Sequence, residues 1–220
     1  MDSCSGLGFW QLERLKWKQE IVDTIENGLH SDPIEMPDNL SDLLGLVYQR
    51  VKLRGVFLHE HSMLVGPRVQ LRNMVTTRGE PGATGHHLVV PFQLTSSGKR
   101  ILLNRGFVPD GERELALAAN SMMQGEVEVN AIVRGGASPK APYVPENVPA
   151  ANQWFWIDVD CMAVRAAAEP FLLDACADAT PLNGVPLGGQ TIITIRNQHL
   201  EYAITWFGLG FCTFLMWLTM

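Results

Sequence analysis

Basic charge, cysteine and phosphate-binding glycine motifs are all scarce in this sequence. Seventeen Lys and Arg face twenty-three Asp and Glu, a formal net charge of −6. The basic footprint of a dedicated nucleic-acid binder is therefore lacking, and no nucleic-acid partner is expected. Four cysteines in 220 residues are too few for a disulfide scaffold. Cys161 and Cys176 lie fifteen residues apart, and no spacing rule pairs them. No C-x-x-C, Walker A or G-x-G-x-x-G sequence occurs, and Gly208-Leu209-Gly210 lies inside an apolar run where it cannot cradle a phosphate. No serine stands in a nucleophile-elbow context, so the sequence makes no positive case for catalysis and a non-enzymatic role is expected. Disorder is excluded by the 46% of hydrophobic residues, and a polytopic membrane protein by the mean hydropathy of +0.04.

What the sequence does have is an apolar end. From Tyr202 to Met220 nineteen residues carry no charge. As a helix this run spans ~28 Å, close to the ~30 Å of a bilayer's hydrocarbon core. Trp206 and Trp217 lie towards its two ends, with Tyr202 beside the first, where interfacial aromatics are favoured. The competing reading is a buried core helix. At the amino end, Cys4–Trp10 is apolar but too short to cross a bilayer and lacks the basic region and cleavage site of a signal peptide. From Trp10 the pattern is helical, with Trp10, Trp17, Ile21, Ile25 and Leu29 keeping roughly one face.

The middle of the chain reads as strand-rich. Val47, Gln49, Val51 and Leu53 alternate with Tyr48, Arg50, Lys52 and Arg54 at period two, and Gly55 is expected to break the strand. Val56–Leu58 and Met63–Val65 continue or return it, ending at Gly66-Pro67. Residues 69–86 read as a loop. His87–Leu94 and Arg100–Val108 form a hairpin around a Gly-containing turn. A short helix is expected over Glu112–Met123, a strand over 126–134, and a Pro-rich loop over 135–150. Next come an aromatic strand over Trp154–Val159, a helix over Cys161–Glu169 capped by Asp160, and strands at Phe171–Ala175 and Gln190–Arg196. Strands outnumber helices without alternating with them. The expected class is α+β, with a mostly antiparallel sheet followed by a C-terminal transmembrane helix. The expected organisation is a first-membrane-helix remnant at 1–10, a domain over 11–198 and a transmembrane helix over 199–220.

Histidine is the residue type to weigh for chemistry. His59-x-His61 on a strand would place two imidazoles on one face, able to take a transition metal such as copper; the alternative is two polar residues on a solvated edge. His86-His87 cannot both point into one site of a strand. His199 stands at the start of the apolar run. On a helix, His199, Tyr202, Trp206 and Gly210 share a face. A neutral imidazole there can ligate haem iron, the aromatics can flank a macrocycle, and Arg196 can reach a propionate. The alternative is an anchor at the headgroup level that hydrogen-bonds the helix start.

Several separate blocks resemble the surfeit-locus (Shy-type) family of cytochrome c oxidase assembly factors. They are Gly8-Phe9-Trp10-Gln11 with Arg14, Trp17 and Lys18; Tyr48-Gln49-Arg50-Val51 with Gly55; and Gly66-Pro67-Arg68. Then follow Val90-Pro91-Phe92; Leu103-Asn104-Arg105-Gly106-Phe107-Val108-Pro109; and Pro145-Glu146-Asn147 with Trp154 and Asp158. The last are Pro186–Thr191 and Arg196-Asn197-Gln198-His199-Leu200 with Tyr202–Phe207. Their order holds over residues 6–217, and Phe107 fits the animal-like mitochondrial members. The resemblance implies two membrane helices in the mitochondrial inner membrane flanking a domain in the intermembrane space. It implies partnership with the oxidase's catalytic subunit, other assembly factors and the bilayer. It also implies delivery or insertion of haem a, with His199 as the proposed ligand beside Arg196, Tyr202 and Trp206. A haem-independent scaffold for the nascent subunit is the other role it allows.

Overall fold

The computed structural model describes residues 2–69, 84–118, 124–134, 141–181, 184–191 and 198–219. The chain divides into two units, Met1–Gly28 with Ile193–Met220, and Leu29–Ile192.

The second unit is built on a seven-stranded sheet. Its strands are β1 (Ile34–Glu35), β2 (Arg50–Phe57), β3 (Met63–Val69), β4 (Thr84–Leu94), β5 (Arg100–Pro109), β6 (Glu126–Val133) and β7 (Leu172–Ala175), in the order β1-β2-β6-β7-β5-β4-β3. Pairings are antiparallel except β1 with β2 and β5 with β7, as an α+β, mostly antiparallel sheet requires. β2 also pairs with β4, Gly55 opposite Leu94 and Phe57 opposite Phe92, which closes the central strands into a barrel.

Gly55 therefore does not break β2; it makes the closure possible. A Cβ there would stand 2.0 Å from the Gln93 carbonyl oxygen, so only glycine lets the strand approach β4 this closely. Nor does Gly66-Pro67 end the next strand: β3 runs through it, with a register shift between Val65 and Arg68.

Period-two alternation sorts the side chains into two cores. Val51, Leu53, Leu88, Val90, Phe92, Ile101, Leu103, Val129, Ala131, Val133 and Leu173 form the first, joined by Leu40 and Leu43 from a 3-10 turn at Leu40–Gly45. Val89, Leu102 and Leu172 alternate with these and join Met63 and Val65 in the second core. There they meet a helix at Val159–Ala166, which presents Val159, Met162, Ala163 and Ala166 at helical spacing. Each face of β4 and β5 is covered, so both strands are buried along most of their length.

Several expectations are corrected at this level. The chain at Trp154–Val159 is not a strand. Trp154 makes a single bridge with Val65, and then the Asn147 side chain takes the place of a strand partner: its Oδ1 accepts from Phe155 N (2.8 Å) and Trp156 N (3.3 Å), and its Nδ2 donates to the Trp156 carbonyl (3.2 Å). The following helix is capped by Asp158, whose Oδ1 accepts from Cys161 N, and not by Asp160; it ends at Ala167 with φ +48, before Pro170 is reached. After a 3-10 turn at Asp110–Glu112, the expected helix at 112–123 is five residues, Arg113–Leu117; residues 119–123 lie outside the described set. Gln190 and Thr191 are in no strand, and 192–197 lie outside the described residues, as do 70–83 of the expected loop. In chain order, the helices are α1 (Asp2–His30), α2 (Arg113–Leu117), α3 (Val159–Ala166) and α4 (His199–Leu218).

The first unit is helical. In α1 the more covered positions are Gly8, Gln11, Leu12, Leu15, Lys18, Ile21, Val22, Ile25, Gly28 and Leu29, a stripe at helical spacing that includes the expected Ile21, Ile25 and Leu29. Trp10 and Trp17 lie off this stripe, 53% and 46% exposed, instead of sharing a covered face with Ile25; Trp17 carries the Arg14 guanidinium 3.8 Å above its ring. The second helix of the unit, α4, is long and apolar enough to cross a membrane, and its most apolar window is only 6% buried.

Candidate functional site

Helix α4 begins at His199. Gln198 precedes it as N-cap without a side-chain cap hydrogen bond, and His199 does not cap the helix either. Its ring turns to α1, where Nδ1 lies 2.6 Å from Gln11 Oε1, both side chains partly buried. The stripe of α4 that continues from His199 is Ala203, which is fully buried, and Phe207. The Phe207 ring fits over Gly8, where a Cβ would meet it at 2.7 Å, and stands edge-on to Phe9 at 5.3 Å. Close packing at Gly8–Phe207 thus holds the two helices near enough for Gln11 to reach His199.

This hydrogen bond sets the imidazole's chemistry. With the amide oxygen assigned to face the ring, Nδ1 carries the proton and donates, and the lone pair is on Nε2. A ring fixed through one nitrogen so that the other is a free Lewis base is the arrangement that metal-ligating histidines use. Trp206 and Gly210, on the adjacent side of α4, are half-covered. Tyr202 is 54% exposed and stands away from the α1 contact. The face expected from spacing therefore divides: His199 points to α1, Tyr202 does not, and Trp206 lies between. Arg196 lies outside the described residues.

Gln11 is the site residue that sequence reasoning does not single out. It stands in the first motif block and His199 in the last, 188 residues apart. The available signal is a polar amide inside the Gly8–Leu12–Leu15 stripe.

The copper alternative meets a different geometry. His59 and His61 lie in a 3-10 turn at His59–His61, not on a strand, so they do not share a strand face. His59 stacks on Phe57 and His61 lies 3.9 Å from Glu60. Among the described residues no three His, Cys, Asp or Glu side chains gather as metal ligands. Cys161, Cys176 and Cys212 are free thiols.

Other motif blocks meet inside the barrel unit. Phe107 of β5 and Leu187 exchange backbone hydrogen bonds (2.9 and 2.8 Å), joining two blocks eighty residues apart in sequence. Asn104 and Asp174 are both buried. Asn104 Nδ2 donates to Asp174 Oδ1 (2.9 Å), its Oδ1 accepts from Gly106 N (3.2 Å), and Asp174 Oδ2 accepts from Thr191 (2.7 Å) and Arg134 (3.3 Å).

The SURF1 family matches residues 3–211. A SURF1-like protein of Monosiga brevicollis is 43% identical over 212 residues, covering 96% of this chain and 81% of its own. Surfeit locus protein 1 of Mus musculus is 38% identical over 216 residues, and that of Homo sapiens 36% over 217, each covering 96% of this chain and 70% and 72% of their own. With its motif blocks in order, a match over nearly the whole chain and these identities, the chain belongs to the SURF1 family, a family of cytochrome c oxidase assembly factors.

Proposed function

We propose that this protein is a membrane-anchored, non-enzymatic assembly factor of cytochrome c oxidase that handles haem a for the catalytic subunit. The observation that carries the reading is the His199–Gln11 pair at the start of an apolar helix: the proton held on Nδ1 leaves Nε2 free to meet an iron centre. The residues present fit such a group. His199 would hold its iron through Nε2, and Trp206, half-covered on the adjacent side of α4, would meet a ring face; Tyr202 would have to reach the ring from the exposed side of α4, and Arg196, outside the described residues, would be the cation for a propionate. When bound, haem a supplies only its redox-active iron and ring, the cargo the oxidase needs. The protein's part is reversible binding. A single neutral imidazole at a membrane boundary suits a carrier that must release its ligand.

The proposed location is the mitochondrial inner membrane, with α4 crossing it and the barrel unit facing the intermembrane space. Support comes from the outward apolar surface of α4, where Ile204, Phe211, Met216 and Trp217 are all exposed. Partners on this reading are the oxidase's catalytic subunit and other assembly factors.

Haem titration into the detergent-solubilised full chain, followed in the Soret region, tests the ligand. The wild type shows a saturable imidazole-type shift, and His199→Ala loses it with at least tenfold weaker binding. Unchanged spectra and affinity in the variant remove His199 from the site and leave the haem-independent scaffold as the better reading.

A further inference from the structure

A second site lies in the barrel unit, remote in sequence from His199. A cavity of about 220 Å³ is lined by Arg68, His87, Arg134, Ala141, Val144, Trp156 and Ile157. It is smaller than the ~300–1,000 Å³ of typical cofactor pockets, so it suits a headgroup or a small acid and not a macrocycle. Its polar lining consists of hydrogen-bond donors. Arg134 Nη1 lies 3.3 Å from both carboxylate oxygens of Asp174. That carboxylate already accepts from Asn104 and Thr191, so its capacity is largely used.

Arg68 has no hydrogen-bond or ion-pair partner among the described residues. Burial, and then the charge of Arg134, push its pKa down, and the two guanidiniums share the lining of this cavity. Trp156 Nε1 is buried without a hydrogen-bond partner among the described residues. His87 accepts from Asn104 Nδ2 at Nδ1 (3.3 Å), which places its ring proton on Nε2 as a further donor. Burial pushes the His87 pKa down to about 4, against the pull of Asp174, so the ring is neutral at physiological pH.

An unpaired buried donor is costly, and like charges brought together are costly too. Both costs are offset by the same kind of ligand. We infer that the cavity between β3, β4 and the Trp156 segment binds an oxyanion, a carboxylate or phosphate group held by the Arg68 and Arg134 forks and the Trp156 indole N–H. Planar guanidiniums match both anions bidentately. Ala141, Val144 and Ile157 leave an apolar wall for the remainder of the ligand.

The test uses the full chain in a non-ionic detergent at low salt, titrated separately with inorganic phosphate and with benzoate by calorimetry. In parallel, the Trp156 indole N–H resonance is followed in protein carrying ¹⁵N-labelled tryptophan and assigned with Trp156→Phe. Saturable binding of either probe, with a shift of the Trp156 indole signal, is expected. Arg68→Gln should weaken it at least tenfold, and Arg68→Lys, which keeps the charge, by less. Tighter binding of phosphate identifies a phosphate group as the ligand, and tighter binding of benzoate a carboxylic acid. No saturable binding of either probe, or equal binding in wild type and Arg68→Gln, overturns the site. Arg68 is partly buried and outside both cores, so the variant is expected to fold. His199→Ala should bind both probes as the wild type does, which keeps this result separate from the haem reading.

Discussion

At the scale of the residue, Gln11 is the cleanest probe of the helical site. Gln11→Leu keeps the volume near His199 but removes the acceptor from Nδ1. The ring then loses its fixed tautomer, and haem affinity should fall about 10-fold or more. Gln11→Glu should retain binding, since a carboxylate accepts the same proton. Spectral titration of both variants separates this positioning role from simple loss of packing, which both would share. A second residue-scale effect concerns His87. Its folded pKa of about 4 lies below the ordinary 6.5, because burial disfavours the charged ring. The unfolded chain therefore takes up the proton first as pH falls. Stability is fully present above pH 6.5 and declines from there towards pH 4. Thermal melts across that window should show the decline, and His87→Gln should flatten it. Asp174→Asn should cost about 3 kcal/mol by denaturant titration, because the buried carboxylate that Arg134, Asn104 and Thr191 donate to loses its charge and the partly buried Arg134 loses its partner.

Gln11 and His87 also show why parts of the sites were hidden. The period-two runs at Val47–Arg54 and Glu126–Arg134, and the apolar run at His87–Leu94 beside its Gly-containing turn, carry their own signal, because these patterns are local. A hydrogen bond across 188 residues leaves no local trace. The donors around the 220 Å³ cavity come from β3, β4, the end of β6 and the Trp156 segment, and only folding brings them to one place. His199 was visible because it stands where an apolar run begins. The expected strand at Trp154–Val159 fails for the same reason in reverse: its aromatic pattern is genuine, but Asn147 supplies the hydrogen bonds that a neighbouring strand would make.

At the scale of the element, two glycines decide how segments approach. Gly55→Ala sets a methyl group against the Gln93 carbonyl at the point where β2 meets β4. The barrel must open there, at a cost of about 1–3 kcal/mol or more. Gly8→Val forces the Phe207 ring from its seat on α1, with a loss of about 1–3 kcal/mol in the helical pair. Gly6→Val, which meets no atom within 4 Å, should be nearly neutral. Thermal unfolding in detergent, followed by circular dichroism, orders these three variants. Gly8→Val should also weaken haem binding, since the Gln11–His199 distance depends on the same contact.

At the scale of the whole molecule, the outer surface of α4 is apolar along nearly its full length, with Glu201 as its lone charged residue. Aromatic and aliphatic side chains left exposed in such number cost heavily in water, and a bilayer relieves that cost. The chain should therefore stay with membranes after alkaline carbonate extraction, and an Ile204→Lys, Phe211→Lys double variant should be released. The SURF1 family assists oxidase assembly.

The central claim, that His199 presents a free Nε2 to haem, is tested most directly by the visible spectrum of the full chain purified from cells that make haem a. A Soret band that co-purifies with the wild type and is absent from His199→Ala is the predicted result. Equal pigment in both proteins, or none in either, would contradict it.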